Sequence, residues 1–306
     1  MGCPAGPTDA SSVSAALGGG QDGETNEDRR VPAHPAARGG TRAVRGWARR
    51  AEQLGFDALA ISSDGADEPY EPLLAVATAA AVTERIALIG DLTYGPTWTA
   101  ATHVGHTVGL DRASGGRFTM GLTFAQGPAA HGFDTTGAIR ILDAQLAELR
   151  RIQQAGATPT DPPSRSPLLI GGRADVTAGR IARHGDGWLM RAGTPEEFGA
   201  GLAVVRAAWA DAHRPGRPSA TAVVHYALGD AAVHAAEALH RGYHASYGAA
   251  FTAAVIAGSA TDPAQLRDRI VAFTAAGADQ VLAVPTIPDL SELDGLAAAR
   301  PYAVHV

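Results

Sequence analysis

A (β/α)8 barrel is the fold class the sequence predicts. Three observations carry that reading. Short apolar runs of β character alternate with longer runs of helical period, glycine closes several of the helical runs, and 306 residues hold one barrel plus a tail, since such barrels take about 200 to 250 residues as one domain. Hydrophobic residues make up 45% of the chain and glycines number 37, which suits a large core joined by short turns.

Taken in order, residues 1–40 are polar and rich in Gly and Pro, the composition of a flexible segment. Within them SVSAAL, Ser12 to Leu17, is the one candidate for a first strand, although it is poor in β-branched residues. The barrel proper is assigned to residues 41–306. From Thr41, the residues Val44, Trp47, Ala51 and Leu54 mark one helical face, Gly55 stops the helix, and FDALAIS follows as a strand over Phe56 to Ser62. A helix over Tyr70 to Val82 carries Pro72 in its first turn, where a missing N–H costs nothing, and the strand IALIGDLTY begins at Ile86. A third helix, Thr99 to Ala113, ends in the Ser114 to Gly116 turn, where glycine admits positive φ without a Cβ penalty, and RFTMGLTF follows. After a helix over Thr136 to Gln154 and a Pro/Thr/Ser-rich connection, PLLIGG reads as a fully buried strand that opens onto a helix from Asp175. DGWLMR, the Pro-started helix TPEEFGAGLAVVRAAWADA, TAVVHYALGD and ADQVLAVP complete the alternation, so that seven strands follow Phe56.

A net charge of −6, from 25 basic and 31 acidic residues without a run of one sign, gives no electrostatic footprint for nucleic acid or an anionic membrane. No apolar run reaches about 18 residues, so no membrane span is expected. Cys3 is the sole cysteine, which rules out an intrachain disulfide framework and points to a reducing, cytoplasmic setting. The opening MGCPAGPTDASS lacks the pattern of an export signal. A small-molecule substrate is therefore the expected partner.

The polar residues at strand ends suggest where chemistry sits. In GGRADVT, Gly171 and Gly172 leave room for close backbone approach, Arg173 offers a forked cation, and Thr177 stands in the first helical turn. Free N–H groups at a helix start, together with a guanidinium, favour an anion. Arg191, His225, Tyr226 and Thr286 also lie at or near strand ends, and alternation decides whether His225 faces the barrel centre. His234, His240 and His244 fit helical spacing imperfectly, and no metal site is expected from them.

Several phrases, in order, resemble the luciferase-like monooxygenase family: RRAEQLGFDALAIS, AAAVTERIALIG, VGLDRASGGRFTMGL, AAHGFD, PLLIGGRADVTAGRIARHGDGW and GTPEEF, across roughly Arg49 to Ala283. The resemblance implies a barrel with FMN or a deazaflavin coenzyme across the C-terminal strand ends, usually in a homodimer. It implies the flavin phosphate at Gly171, Gly172, Arg173 and Thr177, with Asp91, Leu92 and Thr93 where relatives often carry a non-prolyl cis peptide against the ring. Thr123 stands where relatives often have arginine, and Arg191 is assigned to the same cofactor site. Where relatives commonly place a proton-handling histidine, this chain reads SSDGADEPY, so Asp64 or Gly65 takes that position, and Asp64 serves as an acid or base if burial raises its carboxyl towards neutrality. Catalytic roles thus fall to Asp64, Thr93 and His225. WTA at Trp98 to Ala100 replaces an Arg-His-Pro-like phrase, and the short connection Ala155 to Ser166 replaces a longer insertion, which implies a more open pocket mouth.

The implied activity is an FMN-dependent monooxygenation of a small organic molecule in bacterial specialised metabolism, with a flavin reductase as partner. Hydride transfer with the deazaflavin coenzyme is the alternative cofactor reading. A different class stays open beside both: a barrel without cofactor that has lost redox chemistry and serves as a pathway enzyme or ligand-binding protein.

Overall fold

The computed structural model describes residues 12–17, 35–63, 72–94, 100–124, 135–155, 166–228, 233–234, 237, 240–241, 249–287 and 289–301. Eight parallel strands close into a barrel in sequence order: β1 (Ser12–Leu17), β2 (Ala58–Ser63), β3 (Ala87–Tyr94), β4 (Phe118–Phe124), β5 (Leu168–Gly171), β6 (Gly187–Met190), β7 (Ser219–Tyr226) and β8 (Gln280–Pro285). β1 closes the ring, pairing Ala15 with Leu59 on one side and Ser12 with Gln280 on the other. The weak strand composition of SVSAAL is overridden by two flanking ladders, each of which supplies backbone partners.

The outer layer comprises α1 (Pro35–Gln53), α2 (Pro72–Ala80), α3 (Ala100–Ala113), α4 (Thr135–Ala155), α5 (Ala174–His184), α6 (Pro195–Asp211), α7 (Ala249–Gly258), α8 (Pro263–Ala275) and α9 (Ser291–Ala299). α1 starts before Thr41 but breaks at Gly40, whose φ of 50° and ψ of −148° interrupt the helical geometry. Helix ends follow local chemistry. Thr194 and Glu197 form a reciprocal capping box at the start of α6, and Asp262 accepts the N–H groups of Ala264 and Gln265 at the start of α8.

Strand alternation divides the core in two. Leu59, Ile61, Leu88, Phe118, Met120, Ile170 and Trp188 point outward and pack under the helices. Ala58, Ala60, Ile89, Leu169, Leu189 and Leu282 point inward and fill the barrel centre.

Carboxylates at the N-terminal ends of the strands bind strand backbones directly. Glu52 accepts the N–H groups of Glu84, Arg85 and Ile86 at 2.9, 2.7 and 3.0 Å ahead of β3. Asp186 accepts Leu168 N–H at 2.8 Å where β5 begins, and Asp279 accepts Ala220 N–H at 2.9 Å near the start of β7. Arg117, after the Ser-Gly-Gly turn, donates to the carbonyls of Ala80, Thr83, Ile86 and Ser114 and to the Thr83 hydroxyl. That turn takes the expected left-handed backbone, with φ of 66° at Gly115 and 84° at Gly116.

Candidate active site at the strand ends

A cavity of about 650 Å³ opens at the C-terminal ends of β4, β5 and β6, within the range of about 300 to 1,000 Å³ typical of small-molecule sites. Thr123 from β4, Gly172 and Arg173 from the turn after β5, and Arg191 just after β6 share its wall. The first turn of α5 adds Ala174 and Asp175, and the first two turns of α6 add Glu197 and Gly201.

Glycine is required at the β5–α5 turn for two reasons. A Cβ on Gly171 would lie 2.1 Å from the Thr123 hydroxyl oxygen, because Thr123 and Gly171 are paired neighbours on the same face of the sheet. Gly172 has a φ of +123°, which disfavours any side chain. Its carbonyl is held by Trp188 Nε1–H at 2.8 Å, and its N–H reaches the carbonyl of Leu189 at 3.3 Å. Trp188 in turn stacks on Phe198 at 5.2 Å and abuts Gly201, where a Cβ would come within 2.6 Å of the indole. The Gly172 N–H and carbonyl are thus both held in place.

Asp175 already occupies the anionic position of this junction. Its carboxylate meets the Arg173 guanidinium through Nη2 at 2.5 Å and Nε at 3.1 Å. Arg173 holds the Asp175 carboxyl below its ordinary range, assisted by the N–H groups of Asp175 itself and Val176. The same hydrogen bond raises Arg173 further above its ordinary value. Both side chains are exposed, so water screens the pair and it resists a competing anion weakly.

The other sequence-predicted residues divide. Thr177 is buried at 1% exposure and its hydroxyl donates to the Arg173 carbonyl at 2.9 Å, so it braces the first turn of α5 and is absent from the cavity wall. Asp91, Leu92 and Thr93 form the end of β3, paired with Gly121, Leu122 and Thr123. The implied cis peptide does not occur there: among the described residues no peptide bond is cis, and a regular parallel ladder runs through to Tyr94. Asp64 and the connection 156–165 lie outside the described residues. His225 is half-buried on the inward face of β7, the face on which Val223 joins the barrel centre. Tyr226 faces outward, fully buried, its hydroxyl donating to the Glu292 carbonyl at 3.1 Å, and Thr286 donates to the Tyr226 carbonyl.

Sequence reasoning missed Trp188, Asp175, Glu197 and Gly201 as parts of this wall. Their signals were present: the tryptophan after Gly187, the acidic residue two positions past Arg173, and the Thr-Pro-Glu-Glu helix start. It also missed His240, which the fold buries against His225.

The sequence model for luciferase-like monooxygenases matches residues 27–283. Among solved structures, an F420-dependent secondary alcohol dehydrogenase in complex with an F420-acetone adduct superposes with a TM-score of 0.74 at 15% identity, covering 95% of this chain and 98% of that one. A monooxygenase from Streptomyces bottropensis gives 0.73 at 18% identity, with 94% and 96% covered. An EDTA monooxygenase from Chelativorans sp. BNC1 gives 0.67 at 14% identity, with 94% and 92% covered. No curated protein matches the sequence.

Proposed function

Because the chain belongs to the luciferase-like monooxygenase family, we propose that it is an oxidoreductase whose strand-end cavity holds a flavin-type cofactor, FMN in the first instance, and acts on a small organic substrate. The observation that carries this reading is the cavity itself: Thr123, Gly172, Arg173 and Arg191, drawn from three consecutive strand ends, share one wall.

The residues present fit such a group. A locked, Cβ-free turn, the start of α5 and two guanidinium groups form a cradle for a phosphate. Thr123, inward-facing near the rim, stands on the cavity wall where a flat ring system would lie. Gly172, Arg173 and Arg191 would hold the cofactor, and Trp188 would keep the turn in place. When bound, the cofactor supplies oxygen chemistry if it is FMN, or hydride transfer if it is a deazaflavin. The protein's share would be to bind and orient, to exclude water, and to hold the Arg173 guanidinium at the mouth of the turn through Asp175. Substrate identity, a flavin reductase as partner, pairing of two chains and a cytoplasmic setting belong to the same proposal.

Spectral titration of the purified protein with FMN and with the deazaflavin coenzyme tests it. Saturable binding of one of them is expected, weakened about tenfold or more in Arg173→Ala and in Arg191→Ala. Failure of both cofactors to bind, or binding indifferent to both arginines, would overturn it and favour the barrel without redox chemistry.

A further inference from the structure

One face of α6 forms part of the strand-end cavity without belonging to the phosphate cradle. Glu197, Ala200, Gly201 and Val204 all stand on the cavity wall, and their spacing places them in a single helical stripe. At about 1.5 Å of rise per residue, the stripe carries the cavity about 10 Å along α6, from Glu197 near the rim to Val204. Gly201 lies at its middle. A Cβ there would come within 2.6 Å of the Trp188 indole and 3.2 Å of the Ala174 side chain, so the indole edge and Ala174 meet the stripe and give the slot an apolar floor.

The outer half of the slot has no charged group from α6. Ala200 and Val204 are exposed, Val204 at 45%, whereas Phe198, Leu202 and Val205 are the residues of α6 that the core buries. The helix thus turns a second apolar stripe to the cavity. The inner end is polar: Glu197 closes the capping box by accepting Thr194 N–H on Oε2 at 2.8 Å, and its Oε1 makes no hydrogen bond among the described residues. A carboxylate oxygen accepts only. Because the capping box already orients this side chain, little of its freedom is left to lose when a ligand donates to it.

We propose that the slot is a subsite for an apolar chain about 10 Å long that ends in a hydroxyl or an amine. The chain lies over Trp188 and Gly201 towards Val204, and its head group donates to Glu197 Oε1. A carboxylate head is rejected, since it would face the Glu197 carboxylate, and a bare hydrocarbon forfeits the head-group hydrogen bond. The subsite needs only the cavity and stands whether or not a flavin-type cofactor occupies the neighbouring turn.

Calorimetric titration of the purified protein with three chain-matched probes, n-octanol, octylamine and octanoate, tests it without added cofactor. The alcohol and the amine should each bind saturably and at least about tenfold more tightly than octanoate. Ala200→Leu, which fills the slot, and Val204→Asp, which charges its outer end, alter exposed positions and should keep the wild-type melting temperature while weakening both probes about tenfold. Glu197→Gln keeps an acceptor for Thr194 and removes the charge, so the preference over octanoate should shrink to about threefold or less. Octanoate bound as tightly as either partner by the wild type, no binding of n-octanol or octylamine, or affinities indifferent to both Ala200→Leu and Val204→Asp would overturn the subsite. An undiminished preference in Glu197→Gln would overturn the head-group assignment.

Discussion

Arg117 directs its guanidinium to five oxygens, and four of them are backbone carbonyls, three around the end of α2 and the approach to β3 and one, that of Ser114, in the turn after α3. Such carbonyls have no helical partner of their own, and leaving them unpaired costs about 1 to 3 kcal/mol for each that stays buried. Arg117→Ala should therefore lower unfolding free energy in urea by about 3 kcal/mol, and Arg117→Lys should recover less than half, because an ammonium cannot span the same fan of acceptors. A loss under about 0.5 kcal/mol for the alanine variant would show that water replaces the guanidinium. At the other end of the barrel, the Asp175 carboxylate takes up the Arg173 guanidinium and N–H groups at the start of α5 that the proposed phosphate would need. Asp175→Asn should tighten FMN binding several-fold at low salt, an effect that shrinks as ionic strength rises. Unchanged or weaker binding would mean that the carboxylate holds the arginine in place for the ligand.

Glu292 illustrates how an element junction stores a pH response. It sits at the start of α9, buried, and accepts the N–H of Leu228 just past β7 at 3.0 Å. Burial raises its carboxyl above the ordinary value near 4.5, and repulsion from Asp289 adds to this, while the Leu228 hydrogen bond lowers it in part. A raised folded-state value means the fold favours the protonated form. That contribution is fully present below about pH 4.5 and is lost as pH rises through the folded value. Glu292→Gln keeps an acceptor for Leu228 and has no proton to lose. Its melting temperature relative to wild type should therefore climb between pH 4 and pH 7, and a gap that narrows instead would contradict the assignment.

The elements also show what was legible in the sequence. The seven strands from Phe56 onward and the helices through α6 are legible from period, and the Ser114 to Gly116 turn from its glycines, whereas α7 and α8 between β7 and β8 are not among the elements read. The reason is physical: RAEQLGFD, SGGRF and GDGW hold Glu52, Arg117 and Asp186, which bind backbone at the N-terminal ends of the strands. The phrases are short although the contacts span 18 to 33 residues, and they belong to stability. The cavity side is different, because its wall joins residues from β4, β5, β6 and α6. Thr177 stands in the first turn of α5, where an anion is expected, yet helical geometry turns its hydroxyl back onto the Arg173 carbonyl. His240 fits helical spacing only imperfectly with His234 and His244, and the fold alone brings it to His225.

For the whole molecule, closure depends on six residues near the start of the chain. β1 pairs with both β2 and β8, and its removal would leave two unpaired strand edges in a parallel sheet. A chain beginning at residue 11 should fold as the full chain does, whereas one beginning at residue 21 should lose cooperative unfolding and aggregate. Equal stability of the two, by thermal unfolding, would contradict the closed barrel. Closure also places every strand end on one rim, which is where barrels of this kind carry their chemistry. The family match over residues 27–283 agrees with that architecture, while the cavity's own residues bear the functional reading.

The most direct measurement is a crystal structure of the protein grown with FMN. Phosphate density is predicted against Gly172 and Arg173 at the start of α5, with Asp175 displaced from the guanidinium and the ring lying towards Thr123. Density for the cofactor on another face of the barrel, or a cavity closed by protein side chains with Asp175 still on Arg173, would contradict the account.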